Sequence, residues 1–83
     1  MKISIDLSLY PLSEDYKTRV KAFRAAIESY QPAIEIKRNA ISTQIFGEYD
    51  TVMDIIQRET KALFLDGNKY SLIAKIINSD LRK

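Results

Sequence analysis

The segment Lys2-Ile3-Ser4-Ile5-Asp6-Leu7-Ser8-Leu9-Tyr10 alternates apolar and polar residues without a slip, and Pro11 follows it. Ile3, Ile5, Leu7 and Leu9 fall on one side, while Lys2, Ser4, Asp6, Ser8 and Tyr10 fall on the other. A period of two held for this long predicts a β-strand with one face buried and one solvated. Pro11 predicts its end, because proline lacks the N–H that a continued ladder uses. Such a strand is not stable alone, so the rest of the chain must supply its neighbours and a cover for its apolar face.

Immediately downstream, Ser13-Glu14-Asp15 places a hydroxyl at an N-cap position with two acids in a first turn, where the helix dipole favours negative charge. Tyr16, Val20, Phe23, Ile27 and Tyr30 then recur at helical spacing, with Lys17, Arg19, Lys21, Arg24 and Glu28 on other faces. Gln31-Pro32 closes this helix. Ala33 to Arg38 predicts a short strand with Ile34 and Ile36 inward. Arg38-Asn39 reads as a tight hairpin, since Asn tolerates the positive φ such turns use. Ala40 to Phe46 alternates again and predicts a third strand, which Gly47 breaks. Glu48-Tyr49-Asp50 leads into a second helix with a buried stripe of Val52, Met53, Ile56, Thr60, Leu63 and Phe64. Asp66-Gly67-Asn68 supplies a C-cap glycine and a turn. Tyr70 to Asn78 is the last predicted strand, and Ser79 to Lys83 a polar tail.

The order is β-α-β-β-α-β. Right-handed crossovers set the third strand beside the first, with the second and fourth at the two edges. The predicted fold is α+β: a ferredoxin-like sandwich with a four-stranded antiparallel sheet, both helices on one face and the other face open. The 83 residues form a single domain, 1–83. At this size folding buries only roughly 60–65% of the unfolded chain's surface, so a homodimer or homotetramer is an expected source of stability.

Composition narrows the function. Hydrophobic residues make up 46% and charged residues 29%, an ordinary globular balance, and the net charge of +2 does not argue for nucleic acid. The chain has no Cys and no His, which removes disulfides, thiolate zinc sites and the usual general base. The expectation is a protein that is not an enzyme and carries no cofactor or metal. Asp6 interrupts the N-terminal apolar stretch, and no run approaches the roughly 18 apolar residues of a membrane span. A cytoplasmic location without membrane contact is expected by default.

Antiparallel pairing of the first and third strands brings Ser8 and Tyr10 near Ser42, with Asn39 close by. Ser8, Tyr10 and Ser42 share the face opposite the helices in this register, while Thr43 points toward them. Hydroxyls with one aromatic ring and no strong acid or base suit a neutral planar ligand better than proton transfer. The same residues are also routine on a solvated sheet face, with Asn39 serving the turn. Ser4 lies further along the same face, away from this corner, and is expected to be indifferent to a ligand there. Asp50 and Asp54 stand four apart on a helix but lack a third metal ligand. Glu48 reads as a helix-start acid or as a polar residue reaching a ligand. Tyr10 and Phe46 fall at opposite ends of the sheet, which argues against a base-stacking RNA platform.

Two segments carry a more specific signal. Ser8-Leu9-Tyr10-Pro11-Leu12, and Asn39 through Asp50 with its Ser42-Thr43-Gln44-Ile45-Phe46-Gly47-Glu48 core, resemble the signature of the YkoF-like proteins, which bind thiamine or hydroxymethylpyrimidine. The resemblance implies a ferredoxin-like subunit that binds thiamine or its pyrimidine half without chemistry, in supply or sensing of the vitamin. It implies Ser8, Tyr10, Ser42 and Thr43 as ligand contacts and Gly47 as a structural residue. Members of that family carry two such units in tandem or assemble single ones, so pairing here would be intermolecular. The alternative is a structural or regulatory homo-oligomer whose open sheet face is a protein interface.

Overall fold

Strand β1, Lys2–Pro11, runs through the middle of the sheet, and the elements around it follow in the order α1 (Tyr16–Glu28), β2 (Glu35–Arg38), β3 (Thr43–Glu48), α2 (Tyr49–Phe64) and β4 (Tyr70–Ile77). The structure is a computed structural model that describes residues 1–12 and 16–82. The Ser13-Glu14-Asp15 cap, the Tyr16 side chain and Lys83 lie outside the described residues. The sheet is four-stranded in the order β2-β3-β1-β4, with β1 antiparallel to both neighbours. This is the expected α+β ferredoxin-like architecture.

The core is the apolar side of β1 met by both helices. Ile3, Ile5 and Leu7 are buried with Ile45 of β3, Phe23 and Ile27 of α1, and Val52 and Ile55 of α2. Ile55 was absent from the predicted α2 stripe. The buried stripe follows Val52, Ile55 and Ile56, so it is rotated away from Phe64, which is half exposed and stacks on Tyr70 at 6.3 Å. Tyr30, beyond the end of α1, donates its hydroxyl to Glu59 of α2 at 2.6 Å.

Several boundaries differ from expectation. Gly47 does not break the third strand, which pairs on through Gly47 and Glu48 with Ile3 and Lys2, because a residue without a side chain still carries the ladder's N–H and C=O; the last strand ends at Ile77. Pro11 does not stop β1: it pairs with Tyr70, and the next amide, Leu12 N–H, donates to Lys69 O at 2.9 Å. Even-numbered amides of β1 therefore point at β4 and odd-numbered ones at β3. Pairing with β3 ends at Leu7↔Thr43, so the donor Pro11 lacks falls where no partner strand stands. The second strand starts at Glu35 rather than Ala33, because Ala33 N–H closes a turn onto Tyr30 O at 2.9 Å. The third starts at Thr43 rather than Ala40, which leaves Ile41 80% exposed in the hairpin turn. After α2, Leu65 is the C-cap in right-handed conformation, and Gly67, with φ of 85°, supplies the left-handed turn residue one step later than a C-cap glycine would.

The face away from the helices is not bare throughout. Ser79 to Arg82 fold back over it as a strap. Ser4 Oγ donates to Ser79 O at 2.6 Å and accepts from Leu81 N–H at 2.9 Å. Arg82 pairs with Asp80 and with Glu35 of β2, and its guanidinium lies 5.7 Å from the centre of the Phe46 ring. Phe46 is consequently buried although it faces away from the helices. Ser4, which the alternation places only on the polar face of β1, is the strap's anchor.

Gly47 faces the helices at the point where β3 passes into α2. A Cβ there would lie 3.1 Å from Val52 Cγ2 and 3.4 Å from Ile34 Cγ2, both on buried side chains. Gly47→Ala is expected to cost roughly 1–3 kcal/mol through overpacking, read as a lower urea midpoint at unchanged slope. Ser4→Ala leaves a carbonyl and an amide of the strap unpaired and is expected to cost about 1–3 kcal/mol. Hydrogen exchange should show the Leu81 amide losing protection while those of Ile5 and Ile45 keep theirs relative to global stability.

Candidate functional site

The hydroxyl corner is built by the C-terminal half of β1 and the hairpin that leads into β3. The β1–β3 ladder ends at Leu7↔Thr43, with Ser8 the next residue along β1 and Ser42 the last residue of the hairpin before β3. Ser8 and Tyr10 share the even-numbered face of β1 with Ser4 and Asp6, away from the helices. Thr43, opposite Leu7, belongs to the helix side. Ser8 and Tyr10 thus lie toward one end of the open face, beyond the last β1–β3 pair, and Thr43 belongs to that pair.

The four residues have distinct surroundings. Tyr10 is 51% exposed and Ser8 is half-buried, whereas Ser42 and Thr43 are buried. Asn39 Oδ1 accepts from Ile41 N–H at 3.0 Å, Ser42 N–H at 2.8 Å and Ser42 Oγ at 3.2 Å. No described residue other than glycine has positive φ. Asn39 therefore serves the hairpin by bonding its amides with the side chain rather than by adopting a left-handed backbone. Thr43 lines a small cavity of about 30 Å³ between the sheet and α1, with Leu7, Leu9, Phe23, Arg24 and Ile41.

A larger cavity, about 120 Å³, lies on the open face below the strap, lined by Ser4, Asp6, Gln44, Phe46, Ile77 and Leu81. No expectation from the sequence included it. Asp6 read there as one more polar residue of a solvated strand face, and only the return of the strap encloses it.

Other charged groups are engaged structurally. Asp54 pairs with Arg58 one helical turn on. Glu48 makes no side-chain cap of α2, and its carboxylate lies 3.0 Å from the Met1 ammonium and 3.5 Å from Lys2 Nζ. Arg19 of α1 reaches Asp66 at 2.8 Å and the Tyr70 hydroxyl at 3.0 Å, tying α1 to the turn between α2 and β4. The Tyr70 hydrogen bond, then the Asn68 amide, holds the Asp66 carboxyl below the usual carboxylate range. Arg38, beside the hairpin, pairs with Glu28 at 2.8 Å. Among the described residues no three His, Cys, Asp or Glu side chains cluster as metal ligands, and no described helix is long and apolar enough to cross a membrane.

The chain is similar in fold to several solved structures. A candidate thiamine biosynthesis/salvage protein of Thermotoga maritima superposes with a TM-score of 0.81 at 17% identity, over 95% of this chain and 85% of that one. A Streptococcus pneumoniae protein gives 0.85 at 19% identity, over 98% and 90% of the two chains. A domain of unknown function (DUF77) from Bacillus cereus gives 0.75 at 19% identity, over 98% and 79%. No protein-family model matches the chain, and neither does any curated protein sequence.

Because the Ser42 hydroxyl holds Asn39 from a buried position, Ser42→Ala carries a cost to the fold. About 0.5–1.5 kcal/mol is expected from one hydrogen bond. Asn39→Ala, which removes the acceptor of all three bonds, should cost more. Urea denaturation of the two variants checks the order, and equal stability of parent and Asn39→Ala would contradict it.

Proposed function

We propose that the chain is a YkoF-like, non-catalytic binding module for thiamine or its hydroxymethylpyrimidine half, acting in supply or sensing of the vitamin. The observation that carries this reading is the place of Ser8 and Tyr10 on the open sheet face just beyond the last β1–β3 pair, Leu7↔Thr43, with Ser42 next to Thr43 in the chain. The likeness in fold to a candidate thiamine biosynthesis/salvage protein supports it. An aminopyrimidine has a flat apolar face, ring-nitrogen acceptors and an amino donor. Tyr10 offers a stacking surface, and the Ser8 hydroxyl can donate or accept beside it. Ser42 holds the hairpin edge in place and can accept a further hydrogen bond. Thr43, on the far side of the sheet, supports the corner from behind. Arg38 is already paired with Glu28, so the corner lacks a free phosphate cradle there, and the unphosphorylated forms are the favoured ligands.

This corner is open. Micromolar affinity corresponds to about −8 kcal/mol, which a ligand of this size reaches only when well enclosed. A second copy laid over the exposed half of the face, where Tyr10 is 51% and Ile73 57% exposed, would supply the missing wall. Homodimer formation and ligand binding are therefore one proposal, and the dimer without a ligand is the second reading.

Calorimetry and thermal shift with thiamine and with hydroxymethylpyrimidine test it. Ser8→Ala is expected to weaken binding by about five- to a hundredfold, as for one lost hydrogen bond at a buried ligand atom, and Tyr10→Ala by at least as much. Thr43→Val should change binding less than either. A parent protein that gives no heat and no thermal shift with both ligands overturns the binding reading. A dimer in sedimentation under those conditions would then leave the oligomer alone.

A further inference from the structure

The cavity below the strap presents a feature that neither the fold nor the hydroxyl corner uses. Asp6 is half-buried as a residue, but its Oδ1 is buried and has no hydrogen-bond partner among the described residues. It stands on the central strand, with Gln44 of β3 and Lys75 of β4 as its cross-strand neighbours. Lys75 is exposed and makes no ion pair with it among the described residues. A carboxylate oxygen removed from water without a donor is costly, and unpaired buried groups of this kind are uncommon in folded proteins.

The surroundings define what would satisfy it. Phe46 and Ile77 make apolar walls, Leu81 of the strap overhangs the opening, and the Gln44 amide brings both a donor and an acceptor to the side of Asp6. The group that meets a carboxylate best in such a place is a planar nitrogen cation with two parallel N–H donors, since the paired bonds are charge-assisted and directional. The cavity of about 120 Å³ has room for a compact ring or a small amidinium group. Apolar walls favour a flat hydrocarbon or heteroaromatic body attached to it.

We propose that this cavity is a binding site for a compact planar amidinium-type cation, protonated amino-heterocycles included. Asp6 is the charged anchor, Gln44 the flanking hydrogen-bond partner and Leu81 of the strap the wall on one side. Ser4 takes part by holding the strap closed. The site stands on Asp6 and its enclosure and does not rest on the vitamin reading, which concerns Ser8, Tyr10 and Ser42.

The probe is benzamidine, with neutral benzyl alcohol and anionic benzoate as controls, titrated into the full ¹⁵N-labelled chain. Saturable amide shifts centred on Ser4, Asp6, Gln44 and Leu81 are expected with benzamidine and not with the controls. Asp6→Asn, which keeps the shape and removes the charge, should weaken benzamidine at least tenfold. Ser4→Ala, which frees the strap, should weaken it severalfold, and thermal melts of both variants report that they fold. Unchanged affinity in a folded Asp6→Asn variant overturns the proposal, as does equal binding of benzyl alcohol or a shift pattern centred elsewhere. Should Asp6→Asn fail to fold, Gln44→Ala and the control ligands decide on the same criteria. Hydroxymethylpyrimidine binding that responds to Ser8→Ala but not to Asp6→Asn separates the two sites.

Discussion

The rest of the molecule depends on β1 occupying the centre of the sheet with its odd-numbered side chains buried. Ile3, Ile5 and Leu7 are each nearly inaccessible, and they meet side chains from both helices and from β3. Because strand side chains alternate with a period of two, this one commitment also presents Ser4, Asp6, Ser8 and Tyr10 to the opposite face. A one-residue slip would bury Asp6 in the core and expose the isoleucines, so the register is strongly determined. Both candidate sites are thus by-products of the core's demand on a single strand.

The open face is divided by what happens at its two ends. At the Ser4 end, Gly47 lets β3 turn directly into α2, and the chain's last described residues return across Phe46. One serine hydroxyl satisfies both a carbonyl and an amide of that return, which makes an irregular segment compatible with a partly buried position. At the Tyr10 end no described segment returns over the face, and Tyr10 and Ile73 stay half exposed. One half of the face is therefore enclosed by the chain itself and the other is available to something else.

Charge is distributed in keeping with this division. The Arg19, Asp66 and Tyr70 contacts and the Arg38–Glu28 pair clamp the helices and the hairpin, and they lie away from the enclosed half of the face. Surface pairs of this kind contribute little individually, but they use up cations that a phosphate would need. Asp6 is left as the charged group inside the groove without a hydrogen bond on its buried oxygen.

Periodicity alone carried the element order, the central place of β1 and its antiparallel pairing with β3, because burial of one strand face is written directly into alternate residues. Helix phase was less legible: α2 offers Val52, Met53, Ile55 and Ile56 within five positions, and only burial in the assembled core selects Ile55 over Phe64. The extension of β1 through Pro11 depended on where β3 stops, a property of another segment. Asn39 was recognisable as a turn residue, yet its mode of action, a side-chain acceptor for three donors, required the loop's geometry. The strap, the burial of Ser4 and the groove around Asp6 had no local signature. Ser4 and Leu81 are 77 positions apart, and a contact at that separation exists only once the sheet has brought its strands together.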